Sequence, residues 1–400
     1  MHVSTIGETL GFLDGHAAVV RARCGLEVHA LSAPGAALER FGQREGVPVH
    51  PVPMARAITP LRDLRALLLA WRTLRRLRPA VVDAHTPKGG LIGMLAAWLA
   101  RVPVRVYHVH GLPLSTATGR RRRLLRAAER VACRLATCVL PVSRSVAERL
   151  VDERLCAPGK VRVVAEGSIN GVDGERFAPA SAAARAASRA ALGLPEGAKA
   201  VGFLGRLAQD KGLAELAAAW AILRERRPEA WLFLAGEPDD SDPVAPGVLE
   251  RLVMDPRVRL LGDVSDTPAF YAGLDLVAVP TYREGFPTVP LEAAAAGLPV
   301  VASRVDGCVD AVVDGVTGTL VPSRDPGALA GALERYLADP PLAAAHGRAA
   351  RRRVLERYRP AQVREALAEA YGTLLRGDGT AAARAQRPAR REAGDSSPAR

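Results

Sequence analysis

Short apolar runs separated by helical stretches, repeated in two series along the chain, constrain this sequence more than any other feature. Runs such as Val104–Val109 (VRVYHV) and Ala230–Ala235 (AWLFLA) are too short for helices and mostly apolar throughout. They therefore fit strands covered on both faces, as in a parallel sheet. The intervening stretches Leu61–Leu77 and Arg120–Leu135 have helical spacing and supply the cover. In the first series, strands are expected near Leu26–Leu31, Ala80–Ala84, Val104–Val109, Cys138–Val142 and Val161–Val164, after a very short one at Met1-His2-Val3. The pattern breaks over Asn170–Ser188, where NGVDGERFAPAS is rich in turn formers, and the linker is expected there. A second series follows at Ala198–Leu204, Ala230–Ala235, Arg257–Leu261, Leu276–Val279, Val300–Ala302 and Thr319–Val321. The expectation is an α/β chain of two Rossmann-like domains facing across a cleft, residues 1–178 and 188–355. A terminal helix (356–375) would pack back on the first domain. The tail 376–400 has almost no apolar residue larger than Ala and is expected to be disordered.

In parallel sheets of this kind ligands sit at the carboxyl ends of strands, and three segments end strands there. The first is PTYREGFPTVPLEAAAAGLPVVAS, Pro280–Ser303. A helix is expected from about Thr288, with Pro287 where a missing N–H costs nothing. The free amides of Thr288 and Val289 would then suit a diphosphate. Glu284 and Glu292 flank that anion site. As solvated surface acids they would mean nothing; as ligands they suit sugar hydroxyls, with Glu284 on the transferred sugar and Glu292 on a ribose. The second segment, GFLGRLAQDKG (Gly202–Gly212), sets Arg206 and Lys211 beside the same cleft, a guanidinium fork and a point charge for a pyrophosphate. The third, VRVYHVHG, ends at His110-Gly111 in the first domain. His110 could bond a sugar hydroxyl or polarise the reacting centre, and His108 could serve instead.

The net charge of +13 favours anionic partners. Only +3 of it lies in the tail, six arginines against Asp378, Glu392 and Asp395. At 100° per residue Arg123, Arg126, Arg130 and Arg134 fall within about 80° of one another. Leu124, Leu125, Ala128, Val131, Ala132 and Leu135 are then expected on the core side. That basic stripe is either a solvated face or a peripheral contact with anionic headgroups. A nucleic-acid partner is not supported, since no stacking aromatics or groove-reading motif accompany the stripe. The five cysteines form no CxxC pair, which suggests neither a zinc site nor a disulfide framework and fits a reducing cytoplasm. The start MHVSTIGETLGFL has no basic segment before an apolar core, and no apolar run reaches the roughly 18 residues of a membrane span. The acids of Asp239-Asp240-Ser241-Asp242 read as solvated rather than as a metal anchor.

GRLAQDKG, EGFPTVPLE and GVTGTLVP together resemble the retaining glycosyltransferases of family 4, which have the GT-B fold. In the first half HTPKGGLIGMLAA, HGLPLSTATG, ERVACRLATCVLPVSRSV and EGSINGVDGERF resemble their capsular and exopolysaccharide branch. The resemblance covers Thr5 to about Leu375. It implies a nucleoside-diphosphate sugar as donor, with UDP-sugar foremost, no further cofactor or metal, and a lipid-linked or polysaccharide-precursor acceptor. It also implies that Arg206 and Lys211 bind the donor phosphates, that Glu284, Gly285, Phe286, Thr288 and Val289 hold sugar and phosphate, that Glu292 binds the ribose, and that His110 is the first-domain active-site histidine. Pro287 replaces a glycine common at that position, and GETLGFL lacks the double glycine many relatives have near the phosphate. The alternative activity within this fold is nucleotide-sugar epimerisation.

Overall fold

A computed structural model describes residues 1–377. Most of the tail expected to be disordered lies outside the described residues. Among the described residues, twelve strands form two sheets. The first holds β1 (His2–Val3), β2 (Ala30–Ser32), β3 (Val49–Pro51), β4 (Val81–His85), β5 (Val104–Val109) and β6 (Cys138–Pro141) in the order β3-β2-β1-β4-β5-β6. The second holds β7 (Lys199–Leu204), β8 (Ala230–Ala235), β9 (Val258–Gly262), β10 (Leu276–Val279), β11 (Val300–Ser303) and β12 (Gly318–Val321) in the order β12-β11-β10-β7-β8-β9. Every pairing is parallel. Strand order reverses between β1 and β4 and again between β7 and β10. Such switch points open crevices at the carboxyl ends.

The strands follow their sequences because helices cover both faces. Leu232, Phe233, Leu234 and Ala235 of β8 are all fully buried. Four expectations change. The run Leu26–Leu31 joins the sheet only at Ala30, because Gly25, at φ 62°, first caps the preceding helix. Val161–Val164 contributes a single bridge, Val161 to Val139, beyond the Pro158–Lys160 turn. The expected linker contains a helix, Ala182–Ala191, whose Arg185 and Arg189 both bond the Asp275 carboxylate of the second domain. The helix expected over 356–375 is divided: residues 356–357 end the helix Pro340–Arg357, and the terminal helix is Pro360–Gly377. Pro360 has no N–H for the ladder and disfavours helical geometry at Arg359, so the chain turns there.

The Pro360–Gly377 helix lies against the first domain. Arg23 pairs with Glu365 at 2.7 Å, the Cys24 thiol donates to the Ala368 carbonyl, and the Tyr371 hydroxyl bonds Asp83 of β4. The domains also meet directly at the Arg144–Asp152 helix. Asp310 of the second domain accepts from the Arg144 amide at 3.0 Å and from the Ser145 hydroxyl, and Arg149 pairs with Asp306 through Nη2 at 2.9 Å. One buried apolar cluster runs through both domains, with the rings of Phe286 and Tyr358 tilted against each other, 5.4 Å between centroids, within it.

Candidate active site

The loop after β10 and the helix Thr288–Ala295 form one wall of the cleft. Pro287 is the N-cap at ψ 135°, and no side chain caps the first amides. The loop after β7, Gly205-Arg206, forms the floor, with Gly205 at φ 146°, a conformation that favours glycine. A cavity of about 400 Å³ between the domains is lined by Phe12, His110, Val142 and Ile169 from one side. Arg206, Lys211, Glu284, Gly285, Phe286, Thr288 and Val289 line it from the other. Eight of the nine residues expected from sequence thus surround one space. Glu292 is not among the lining residues. It lies one turn into the helix, mostly buried, and its carboxylate accepts from the Tyr271 hydroxyl at 2.9 Å. Burial raises its pKa, against the opposing hydrogen bond from Tyr271.

Both expected cations already have counter-ions. Lys211 Nζ is 2.6 Å from Glu284 Oε1. Arg206 pairs with Asp239 and lies 3.7 Å from Asp210, which also holds Arg283 at 2.7 Å. This corrects the reading of the Asp239–Asp242 acids as solvated. Asp239 accepts from the Ser241 hydroxyl and amide, and chiefly that hydroxyl, aided by Arg206, lowers its pKa to about 2. Asp242 accepts from the Asp210 amide at 3.0 Å, and only Asp240 is exposed. A second cavity of about 660 Å³ shares Leu204, Gly205 and Arg206 with the first and extends along Gly236, Glu237, Asp263 and Val264. The sequence reading passed over these four. Their signal was positional, since they follow the carboxyl ends of β8 and β9.

His110 and His108 differ in role. His110 lines the cavity, whereas His108 is buried behind it, with Nδ1 3.4 Å from Asp83 Oδ2. Behind His110 stands a group the sequence reading missed. His85 Nδ1 is 2.9 Å from His110 Nε2, and His85 Nε2 is 3.0 Å from His2 Nδ1. The available signal was polar residues (Asp83, His85) inside the otherwise apolar run Val81–His85. Burial, then repulsion from His108, lowers the His110 pKa to about 3. Burial holds His85 and His2 well below the ordinary histidine value, against the Asp83 charge. The triads His85/His108/His110 and His2/Asp83/His85 have ligand atoms close enough for a metal. The linking nitrogens, however, stand at hydrogen-bond distance, closer than the roughly 3.3 Å between ligands of a tetrahedral zinc.

On the Gly119–Leu135 helix, Arg123, Arg130 and Arg134 are exposed and Arg126 is partly buried, and Arg126 and Arg130 donate to the carbonyls of Glu153 (2.7 Å) and Arg154 (3.1 Å). The helix is rotated from the expected phase. Leu124 and Val131, expected to face the core, are 53% and 41% exposed, and Glu129 is buried instead. Tyr107 donates to Glu129 at 2.7 Å, and burial raises the acid's pKa to about 7 despite that bond. No helix of the described residues is long and apolar enough to cross a membrane.

Two parallel six-stranded domains enclosing a cleft lined by cations, carboxylates and free helix amides define a glycosyltransferase of the GT-B fold. Residues 184–353 match the model of glycosyl transferases group 1, and residues 16–167 match the glycosyl transferase 4-like domain. The capsular polysaccharide biosynthesis glycosyltransferase CapM of Staphylococcus aureus is 30% identical over 375 residues, 94% of this chain and 97% of that one. The D-inositol 3-phosphate glycosyltransferase of Salinispora arenicola is 40% identical over 52% of this chain and 49% of its own length. Among solved structures, Anabaena Alr3699/HepE in complex with UDP and glucose superposes with a TM-score of 0.75 at 21% identity, covering 93% of this chain and 100% of that one. Sucrose-phosphate synthase from Thermosynechococcus elongatus superposes at 0.76 and 21%, covering 94% and 99%. The chain belongs to glycosyltransferase family 4. These matches are to transferases and leave the epimerase alternative without support.

Proposed function

We propose that the protein transfers a sugar, with retention, from a UDP-sugar to a lipid-linked or polysaccharide-precursor acceptor. The observation that carries this reading is the single cavity in which Lys211, Arg206, Glu284 and the Thr288 helix end face His110 across the domain boundary. The relatives support it: HepE was solved with UDP and with UDP-glucose, and CapM is named for capsular polysaccharide. A diphosphate arriving at Lys211 and Arg206 competes with Glu284 and Asp239 for their charges. Glu284 is thereby released to accept sugar hydroxyls, while the Thr288 and Val289 amides take the second phosphate. Glu292, on the same helix, takes the ribose, and Gly285 and Phe286 line the sugar. His110, kept neutral, offers one nitrogen to the transferred sugar. Stabilising the departing diphosphate is the main catalytic task, and the two cations and the helix end perform it.

Glu284 is the one carboxylate lining the cavity that His110 faces, and Lys211 occupies it. We therefore favour same-face attack over a covalent sugar–enzyme intermediate. The acceptor oxygen bonds the anomeric carbon as the bond to the diphosphate breaks, and the acceptor proton passes to the leaving phosphate oxygen. The first domain selects the acceptor at the cytoplasmic face of the membrane. There the Gly119–Leu135 helix presents Leu124 and Val131 among Arg120, Arg121, Arg123 and Arg134. The Pro60–Leu77 helix, separated from it by Pro87–Leu99, exposes Leu61, Leu64 and Leu68. Thermal shift across nucleotide sugars tests the donor. A bound ligand at 100 times its dissociation constant adds about 2.7 kcal/mol of stability. A UDP-sugar should stabilise the protein, and turnover should release UDP and yield a product of unchanged anomeric configuration by NMR. An inverted product would refute the mechanism.

A further inference from the structure

We propose that His85 is a positioning residue for His110: a head-to-tail chain of three imidazoles, His2–His85–His110, dictates which nitrogen of His110 carries its proton. The inference rests on the reading that His110 faces the transferred sugar. Each link joins Nδ1 of one ring to Nε2 of the next, at 3.0 Å from His2 to His85 and 2.9 Å from His85 to His110. Two neutral rings can make such a link only if one donates and the other accepts. The sense of one link therefore dictates the sense of the other. Either all three rings carry the proton on Nδ1 or all three carry it on Nε2. A mixed arrangement would face two lone pairs, or two N–H groups, across a buried contact.

Water is excluded from relieving such a mismatch, since His85 is fully buried and His2 is 4% exposed. The chain is braced from the side. Asp83 Oδ2 is 3.7 Å from His85 Nε2 and 3.9 Å from His2 Nδ1, and it accepts from the Tyr371 hydroxyl of the C-terminal helix. His108 occupies the remaining approach, with its ring 5.2 Å from His85 and 5.1 Å from His110. The nitrogen of His110 turned away from His85 is thereby set as either a donor or an acceptor. A donor would hold a sugar oxygen as charge develops on it, whereas an acceptor would hold a sugar hydroxyl proton. Wrong-tautomer histidines can lose several powers of ten in turnover.

The test uses the full chain with 15N-labelled histidine and long-range 1H–15N correlation spectra, which read tautomers directly, with kinetics alongside. In the unmodified protein His2, His85 and His110 should share one tautomer at neutral pH. His85→Leu should leave His110 as a mixture of tautomers and lower kcat by about tenfold or more, while the donor KM changes less than about twofold. His2→Gln, which leaves the His85–His110 contact in place, should have a smaller effect on both readouts. Mixed tautomers among the three rings in the unmodified protein would overturn the proposal, even if His85→Leu fails to fold. So would an unaltered His110 tautomer in His85→Leu. One tightly bound zinc per chain in the purified protein, lost in His85→Leu, would also overturn it, because a metal would use the same lone pairs. If His110→Ala transfers sugar at the normal rate, the reading of His110 at the sugar fails, and the spectra still judge the chain.

Discussion

A Cβ atom built on Gly285 would stand 1.9 Å from the carbonyl oxygen of His110. The loop that carries Glu284 in the second domain therefore rests backbone to backbone on the strand end that carries His110 in the first. Gly285→Ala should force the two walls apart. We expect kcat/KM to fall on the order of 10²-fold, because small displacements of reacting groups are costly. The unfolding midpoint should shift little, since the clash lies where the two domains meet and leaves the strands of both sheets in place. Gly212→Ala is the contrast: φ is 72° and the added Cβ would lie 1.9 Å from the Pro280 carbonyl oxygen within one domain. That change should cost about 2–4 kcal/mol of stability in denaturant titrations.

Lys211→Ala removes the counter-ion of Glu284 together with a proposed phosphate ligand. Turnover should fall on the order of 10²-fold and UDP affinity should weaken in calorimetry. Stability should change by at most about 1 kcal/mol, because the pair is partly solvated. Unchanged UDP binding would remove Lys211 from the donor site.

Acid should unfold the protein through its buried histidines. Burial keeps His16 and His110 neutral down to about pH 3, and it holds His2 and His85 well below their ordinary value. Arg364 adds to the effect at His16, and the Asp83 carboxylate opposes it throughout. In the unfolded chain the same rings take up protons near pH 6.5. The unfolded state thus binds more protons between about pH 6.5 and 3, so stability falls as pH falls through that window. Each such ring contributes about 1.4 kcal/mol per pH unit. Denaturant midpoints at pH 7 and pH 5 check this, and equal midpoints would contradict it.

Asp306→Ala with Asp310→Ala removes the bonds that join the second domain to the Arg144–Asp152 helix. Charge-assisted contacts of this kind contribute about 1.5–3 kcal/mol each. The domains should open further in small-angle scattering without donor, and donor KM should rise.

Charge reversal at Arg121, Arg123 and Arg134 should weaken sedimentation with anionic vesicles by about 1 kcal/mol per residue and leave neutral vesicles unaffected. Vesicle binding that ignores the substitutions would dismiss the membrane face.

Much of the architecture is legible in local patterns. Parallel strands buried on both faces read as continuous apolar runs, so Val104–Val109, Ala230–Ala235 and Leu276–Val279 match their strands end to end. A helix start carries its own chemistry, so Pro287-Thr288 marks the start of the helix and the proposed anion site without reference to the rest of the chain. Pro360 is a local signal of the same kind, a helix break carried by one residue.

What only the tertiary structure decided is which polar group meets which. The rotation of the Gly119–Leu135 helix depends on Tyr107 reaching Glu129, a buried bond that outweighs the apolar pull of Leu124 and Val131. Arg206 meets Asp239 from a different loop, and His85 stands between His110 and a histidine 83 positions earlier. Asp83 takes a hydroxyl from Tyr371, 288 positions on. Hydrophobic periodicity records which face of an element is buried, a property of neighbouring residues. The partners of a buried polar group are fixed only when distant segments close around it and water can no longer serve in their place.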